Sequence, residues 1–434
     1  MKGVFWCASA ISAVSALKGK VDTIHNPNYN PHGPSLYLKA VLRYNIEPKH
    51  PDALPVERLI PHVHRLRSQR RSAAASNSSG VGSSTSTFQD DQFFYLNPIT
   101  IGEGDSAQTF NVQFDTGSPD LWLFSDQLPS DEAGNHNHTL YKAGETPTSK
   151  LIPGESWNIT YLDDSGASGL VYTDTLNLAG ISMPNIVVEA ANATTFDFTD
   201  SPGDGLLGLD LELSTPEPKI LPTTTQQIST GNASGFGQPL FTALLTRQNE
   251  APGFFTFGGP NYTVFSEVQL TFDDVPQRSQ EVAGTIGSWT INSEFAVLNG
   301  KHIDRKGNTA ILDTGTSGIL LDTSLTKAVY DLIPGSKFSQ PDQGYIFPAS
   351  TQTFPNITLP FGNTSIILQD TADFSLGPAV AGGFLYGSIQ DGGGLGYDIF
   401  GTSWLNNVYV VFDLGVTGAG KYRLGVGMRK PENA

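Results

Sequence analysis

Cysteine is all but missing from this chain. Cys7 is the only one among 434 residues, and it lies in the extreme N-terminal apolar stretch. Charge is also scarce, at 15% of residues, which is low for a soluble protein. Long apolar runs are missing too. The stretch from Val4 to about Val14 follows Lys2 and leads into the small residues Ser12-Ala13-Val14-Ser15-Ala16. It is too short to span a bilayer and reads as a secretory signal over residues 1–16. With that signal removed the chain has no cysteine. It is then a secreted protein without a disulfide, whose stability rests on core burial alone. The C-terminus, Arg429-Lys430-Pro431-Glu432-Asn433-Ala434, carries no apolar tail. Neither a lipid-anchor signal nor a C-terminal membrane span is expected.

What is abundant is turn chemistry. Forty-six Gly, 28 Pro and 10% aromatics suit many short strands better than long helices. Strands are expected at Phe93–Leu96, Phe110–Phe114, Leu121–Phe124, Ile181, Ile186–Val188, Phe254–Phe257, Ile366–Leu368 and Val408–Phe412. Helices are expected at about Leu240–Gln248 and Ser324–Ile333. The fold class is mostly β.

The charge is uneven. Residues 1–71 hold 11 Lys/Arg against 4 Asp/Glu, a net of +7, while residues 72–434 hold 14 against 38, a net of −24. Five of the eight His, at 25, 32, 50, 62 and 64, also fall in the basic part. Arg70-Arg71 is followed by Ser72-Ala-Ala-Ala-Ser-Asn-Ser-Ser-Gly80, and a dibasic pair beside a linker reads as a processing site. Residues 17–71 are expected to form a basic propeptide, and 72–92 a flexible Ser/Ala/Gly-rich linker. Opposite charge would hold such a leader on the acidic body. Acid would protonate body carboxylates and charge the leader His, favouring release. An ordinary basic tail for nucleic acid is the competing reading, but no nucleic-acid motif accompanies it. His62 and His64 lack further ligands nearby, so no metal is implied.

One short string occurs twice. Phe114-Asp115-Thr116-Gly117-Ser118 and Leu312-Asp313-Thr314-Gly315-Thr316 share the pattern apolar-Asp-Thr-Gly-Ser/Thr. Each is followed downstream by two apolar residues and a glycine, Leu206-Leu207-Gly208 and Ile399-Phe400-Gly401. The repeat points to a duplicated half-molecule, with each half donating one carboxylate to a shared centre. Two carboxylates that meet cannot easily both ionise, which is the basis of acid–base catalysis.

With these motifs the chain resembles the pepsin-like aspartic proteases of the secreted fungal type. Phe114–Trp122 and Leu312–Ser317 match the two active-site motifs. Trp157–Tyr161 with Ser168-Gly169 matches the flap hairpin, and Asp204–Asp210 and Gln238–Phe241 match further segments. The resemblance implies a bilobal β fold with the cleft between the lobes. It runs from an N-terminal lobe at 93–275, with Asp115 and the flap, to a C-terminal lobe at 276–434, with Asp313. It implies a water-mediated aspartic endopeptidase acting on protein or peptide substrates at acid pH. A monomer without metal or organic cofactor is expected, with no nucleic-acid partner and no membrane anchor.

The resemblance also implies residue roles. Asp115 and Asp313 are the catalytic pair, with Asp115 protonated and Asp313 ionised. Thr116 and Thr314 cross-link the two loops, Gly117 and Gly315 permit their close approach, and Ser118 and Thr316 support the carboxylates. Tyr161, Asp163 and Ser165 belong to the substrate-binding flap, and Trp122 supports Tyr161. Asp163 and Ser165 suggest tolerance for Lys at P1. Tyr37–Asn45 resembles the prosegment, with Arg43 as the basic residue that pairs with the catalytic carboxylates and makes the leader an intramolecular inhibitor. Asn137, Asn158, Asn192, Asn232, Asn261, Asn356 and Asn363, together with Asn77, lie in glycosylation sequons. The chain departs from the pattern at Leu162 and Asp164 in the flap, with Gly deferred to Gly166. It departs again at Thr402, where relatives carry Asp, and at Pro348 and Leu385, near the cysteines of a fungal disulfide. Lower thermal stability and a shifted pH optimum are expected. A catalytically silent pepsin-like binding protein and an unrelated β-rich adhesion or carbohydrate-binding protein are the alternatives; the second must treat the paired motifs as coincidence.

Overall fold

Short apolar runs broken by Gly, Pro and Asn give strands, and the strands here are arranged around the two repeated motifs. The computed structural model describes residues 19–25, 30–77, 95–129, 138–160, 166–194, 203–211, 223–230, 237–247, 250–261, 264, 269–276, 288–361, 364–368, 371–415 and 422–429. The expected signal, most of the linker and the flap residues Tyr161–Ser165 lie outside them. The fold is mostly β, with five sheets among the described residues, in keeping with a bilobal pepsin-like architecture.

An eight-stranded sheet carries the first motif, and a five-stranded sheet carries the second. A six-stranded sheet joins distant parts of the sequence, in the order Gly19–Asp22, Phe254–Phe257, Leu240–Leu244, Val408–Asp413, Arg423–Met428 and Thr271–Asp274. Aromatic packing ties this sheet to the motifs. Phe114 meets Phe255 and Phe257 edge-on, and Phe241 stacks on Phe412 at 4.5 Å.

Among the described residues the expected strands are present, with Phe93 and Phe94 outside them, and Phe254–Phe257 and Leu121–Phe124 have the expected limits. Thr323–Tyr330 is helical, close to the expected Ser324–Ile333. Its N-cap Asp322 accepts from the Leu325 N–H. The expected helix at Leu240–Gln248 is instead a strand at Leu240–Leu244, paired on both sides. A short apolar run does not by itself separate a buried strand from a helix, and two neighbouring ladders decide it here.

The leader folds into two helices that the sequence reading did not anticipate. Helix α1 spans Gly33–Tyr44, with Pro34 in its first turn and buried Leu36, Leu38, Ala40, Val41 and Leu42. Asn45, at φ 51°, ends it in left-handed geometry, with its N–H turned back to the Leu42 and Val41 carbonyls. Helix α2 spans Val56–Asn77 and packs on α1. It runs through Arg70-Arg71 and Ala73-Ala74-Ala75, so the expected linker start at Ser72 falls inside a helix. Ala favours helix whatever the loss of bulk suggests about flexibility. The positions near the absent fungal disulfide are joined by a ladder instead, with Phe347 opposite Leu385 and Pro348 opposite Phe384.

Candidate active site

Each motif is presented the same way. Strand Gln108–Asp115 runs parallel to Gly205–Gly208, which in turn is antiparallel to Leu121–Phe124. The chain thus rises on one side of the apolar-apolar-Gly strand and returns on the other, leaving the Asp loop at the crossing. In the second half Thr309–Leu312 is parallel to Asp398–Phe400, and Ile319–Leu321 is antiparallel to it. The downstream glycines lie under the loops. The Gly208 N–H donates to the Asp120 carbonyl and the Gly401 N–H to the Gly318 carbonyl, each five residues beyond its Asp. A Cβ on Gly208 would sit 2.2 Å from the Pro119 carbonyl carbon, and one on Gly401 2.3 Å from the Thr316 oxygen. Only glycine fits such an approach.

The two loops are locked reciprocally. The Thr116 N–H donates to Thr314 Oγ1 and the Thr314 N–H to Thr116 Oγ1, both at 3.0 Å. Each hydroxyl then donates to the carbonyl before the other Asp: Thr116 to Leu312 and Thr314 to Phe114, both at 2.8 Å. All four bonds are buried.

Asp115 and Asp313 are buried, at 1% and 0% exposure. The Gly117 N–H donates to Asp115 Oδ1 at 3.0 Å and the Gly315 N–H to Asp313 Oδ1 at 2.7 Å. Ser118 donates to Asp115, and Thr316 hydrogen-bonds Asp313. A Cβ on Gly315 would lie 2.3 Å from Asp115 Oδ1, so a side chain there would collide with the opposite carboxylate.

The leader fills this centre. Arg43, in the last turn of α1, places Nη2 2.9 Å from both Asp115 oxygens and Nη1 3.7 Å from Asp313 Oδ2. Tyr44 donates to Asp313 Oδ2 at 2.7 Å. Sequence reasoning missed Tyr44, although it adjoins Arg43. Burial pushes the Asp115 carboxyl up, but the Arg43 charge and hydrogen bonds from Arg43, Ser118 and Gly117 outweigh it and hold Asp115 below its usual range. Burial together with the Asp115 charge raises Asp313, against the opposing effects of Arg43, Thr316 and Tyr44. With Arg43 seated, the two carboxyls are therefore shifted in opposite directions, Asp115 down and Asp313 up.

Three further acids surround the first loop, Glu189 and Asp210 buried and Asp120 half-buried. Burial and the Asp115 charge push Asp120 up to about 7. Burial and Asp120 raise Glu189, which lies opposite Trp122 in the parallel ladder. Burial raises Asp210, which accepts from Ser288 Oγ and the Leu211 N–H. Sequence reading assigned none of them a role. Thr402, in the second half, caps its own loop: its N–H donates to the Thr316 carbonyl and its hydroxyl to the Ser317 carbonyl.

The expected flap is a hairpin. Lys150–Thr160 pairs with Gly166–Leu178, and its last rung is Thr160 opposite Gly166. The connecting Tyr161, Asp163 and Ser165 lie outside the described residues. Trp122 is buried and stacks against Trp157, three rungs below the hairpin's last, with ring centroids 6.2 Å apart. Among the sequon residues, Asn158 and Asn356 are exposed, while Asn192 and Asn261 are half-buried. Asn137, Asn232 and Asn363, and the side chain of Asn77, lie outside the description. Among the described residues no group of three or more His, Cys, Asp or Glu is arranged to hold a metal. None of the described helices is long and apolar enough to cross a membrane.

Comparison with known proteins agrees with this geometry. The eukaryotic aspartyl protease family matches residues 94–421. Endothiapepsin of Cryphonectria parasitica is 33% identical over 395 residues, covering 90% of this chain and 86% of its own. Aspergillopepsin-1 of Aspergillus pseudoglaucus is 33% identical, covering 79% and 81% respectively. Penicillopepsin-1 of Penicillium janthinellum is 33% identical, covering 77% and 96%. Two carboxylates on reciprocally locked loops, and relatives of this extent, place the chain in the eukaryotic aspartyl protease family, as an aspartic-type endopeptidase.

Proposed function

We propose that this protein is a secreted endopeptidase, made as a zymogen, that hydrolyses peptide bonds at acid pH with a water activated between Asp115 and Asp313. The observation that carries the reading is the convergence of both buried carboxylates on the single guanidinium of Arg43. Groups that share one cation at this range can share one water or one proton once the cation leaves. Repulsion then separates their affinities, and in acid the pair holds a single proton. The ionised member takes a proton from the water, whose oxygen attacks the peptide carbonyl carbon. The protonated member polarises the carbonyl oxygen, and a proton passes to the leaving amine. No acyl-enzyme forms.

In this reading the leader is the intramolecular inhibitor. Arg43 neutralises the pair, and Tyr44 occupies the oxygen of Asp313 that a water would use. Tyr161, Asp163 and Ser165 close over the substrate, supported by Trp122, and Asp163 with Ser165 gives tolerance for Lys at P1. A peptide library without P1 Lys cleavage at acid pH would remove that last element. Asn158 and Asn356 are the exposed candidates for glycans.

The test uses the full-length chain at pH 3–4 with a denatured protein substrate, with and without pepstatin. Pepstatin-sensitive cleavage, lost in Asp313→Asn, is expected. A folded protein that cleaves nothing after leader removal would instead be a silent peptide-binding relative. Arg43→Gln is expected to cleave a test peptide at pH 6, where the parent chain is silent.

A further inference from the structure

Beyond the carboxylate pair, the leader makes a second, separate set of contacts. The turn between α1 and α2 lies against the C-terminal half. The N–H groups of Lys49 and His50 both donate to Asp391 Oδ2, at 3.0 and 3.2 Å. The Leu54 N–H donates to Gln343 Oε1 at 2.7 Å. The His50 ring stacks on Phe338 with centroids 3.9 Å apart and planes 7° apart, and meets Tyr345 edge-on. The other Asp391 oxygen is fixed by Thr323 Oγ1 and the Gly393 N–H, so the carboxylate is aimed before the turn arrives. Tyr37 of α1 donates to the Asp391 carbonyl at 2.8 Å. One turn into α2, His62 Nε2 donates to the Pro341 carbonyl.

We infer that this is a second docking site, built from Asp391, Gln343 and the Phe338 and Tyr345 rings, that takes the Lys49–Leu54 turn and lets it go when His50 gains a proton. The inference rests on the reading of the leader as an inhibitor and names how its release is regulated.

The argument begins with the hydrogen bond inside the turn. The Asp52 N–H donates to His50 Nδ1 at 3.1 Å. A backbone N–H can only donate, so Nδ1 must carry its lone pair. A proton on Nδ1 sets donor against donor and breaks the turn that presents the Lys49 and His50 amides.

The charged surroundings divide. Asp52 in the same turn and Asp391 on its strand favour the imidazolium, while Lys327 on the helix Thr323–Tyr330 opposes it. Phe338 is uncharged, and burial pushes the Tyr345 hydroxyl up to about 12, so it is neutral throughout. Burial of the ring is the largest influence, and the net effect lowers His50 below the usual histidine value of 6.5. The sign follows. The docked leader binds fewer protons at His50 than the free leader. Docking is therefore at full strength above about pH 6.5 and weakens as pH falls below it, by up to ~tenfold per pH unit. Asp115 is held low by Arg43, so the inner contact persists until more acid pH. Release thus begins at the outer site.

Hydrogen exchange of the Lys49, His50 and Leu54 amides in the full-length chain, corrected for intrinsic rates, tests this between pH 7 and 5. Protection is expected to fall over that range, by no more than the separation between the docked and free His50 proton affinities. His50→Phe keeps the stacked ring, and His50→Asn keeps an acceptor for the Asp52 N–H; neither can become a cation. Both are expected to hold their protection nearly constant. If both variants lose protection as the parent does, or if the parent's protection does not change with pH, the inference is overturned. Peptide cleavage recorded on the same samples separates the two readings. Amides that open as expected while cleavage starts at an unrelated pH would keep the docking site and discard the leader as inhibitor.

Discussion

The two Asp-Thr-Gly-Ser/Thr loops share a backbone and differ in what surrounds it. Both lie at the crossing of a parallel and an antiparallel pair, both rest on a glycine that admits no Cβ, and each accepts the other's threonine. Around Asp115, however, lie Asp120, Glu189 and Asp210, raised by burial and with no cation bonded to any of them among the described contacts. The matching region of the second half has Gly318 five residues past its Asp, and Thr402 behind it. Its own buried acid, Asp398, is also raised by burial but is paired with Arg305 at 2.5 Å. The backbone makes the pair symmetric, and the neighbouring charges unbalance its proton affinities. An acid–base pair needs both properties, since equal geometry brings the groups together and unequal surroundings give them different roles.

The comparison can be broken most sharply at the carboxylates. Asp115→Asn and Asp313→Asn are each expected to lower kcat for an acid-cleaved peptide by at least ~10³-fold, because neither half can act alone. Near-normal turnover in either variant would show that the halves are not partners. The threonines come next. Thr116→Ala removes a buried donor and acceptor at once, as does Thr314→Ala, and each is expected to cost about 2 kcal/mol in denaturant unfolding. Equal losses would support the symmetry of the lock. A double mutant less destabilised than the sum of the singles would show that the bonds act as one unit.

Two smaller effects probe the imbalance. Asp120 is pushed up to about 7 from 3.8. Between those values the folded chain holds a proton that the unfolded chain has released, so stability falls as pH rises, by up to ~1.4 kcal/mol per unit. Asp120→Asn is expected to flatten this slope, as urea midpoints at pH 5 and pH 7 would record. An unchanged slope would assign the titration to another group. Thr402→Asp places an acid behind the second loop and removes part of the imbalance. The pH optimum of peptide cleavage is expected to move by less than about one unit.

Much of this pair was legible in the sequence because it is local and repeated. Asp115 and Asp313 each carry their glycine, hydroxyl and apolar neighbour within five residues, and the strands around them are short apolar runs. The part played by Glu189 was not legible, because sequence distance hides it, whereas Asp120 stands five residues past Asp115. Asp120 and Glu189 influence each other only because Trp122 and Glu189 become ladder neighbours. The leader helices escaped notice because their basic composition reads as charge before it reads as periodicity. Arg43 and Tyr44 occupy adjacent positions at the end of α1, and only the left-handed turn at Asn45 shows that both can face the carboxylates. Leu240–Leu244 looked helical because nothing nearby in sequence announces the strands Phe254–Phe257 and Val408–Asp413 that flank it.

The leader's first strand has a consequence of another kind. Gly19–Asp22 forms the outer rung of the six-stranded sheet, covering Phe254-Phe255-Thr256-Phe257. Losing it would turn an interior strand into a bare edge rich in phenylalanine, which invites pairing with another chain. In the proposed zymogen this strand would also guard against self-association. Removing residues 19–22 is then expected to lower the concentration at which the protein self-associates.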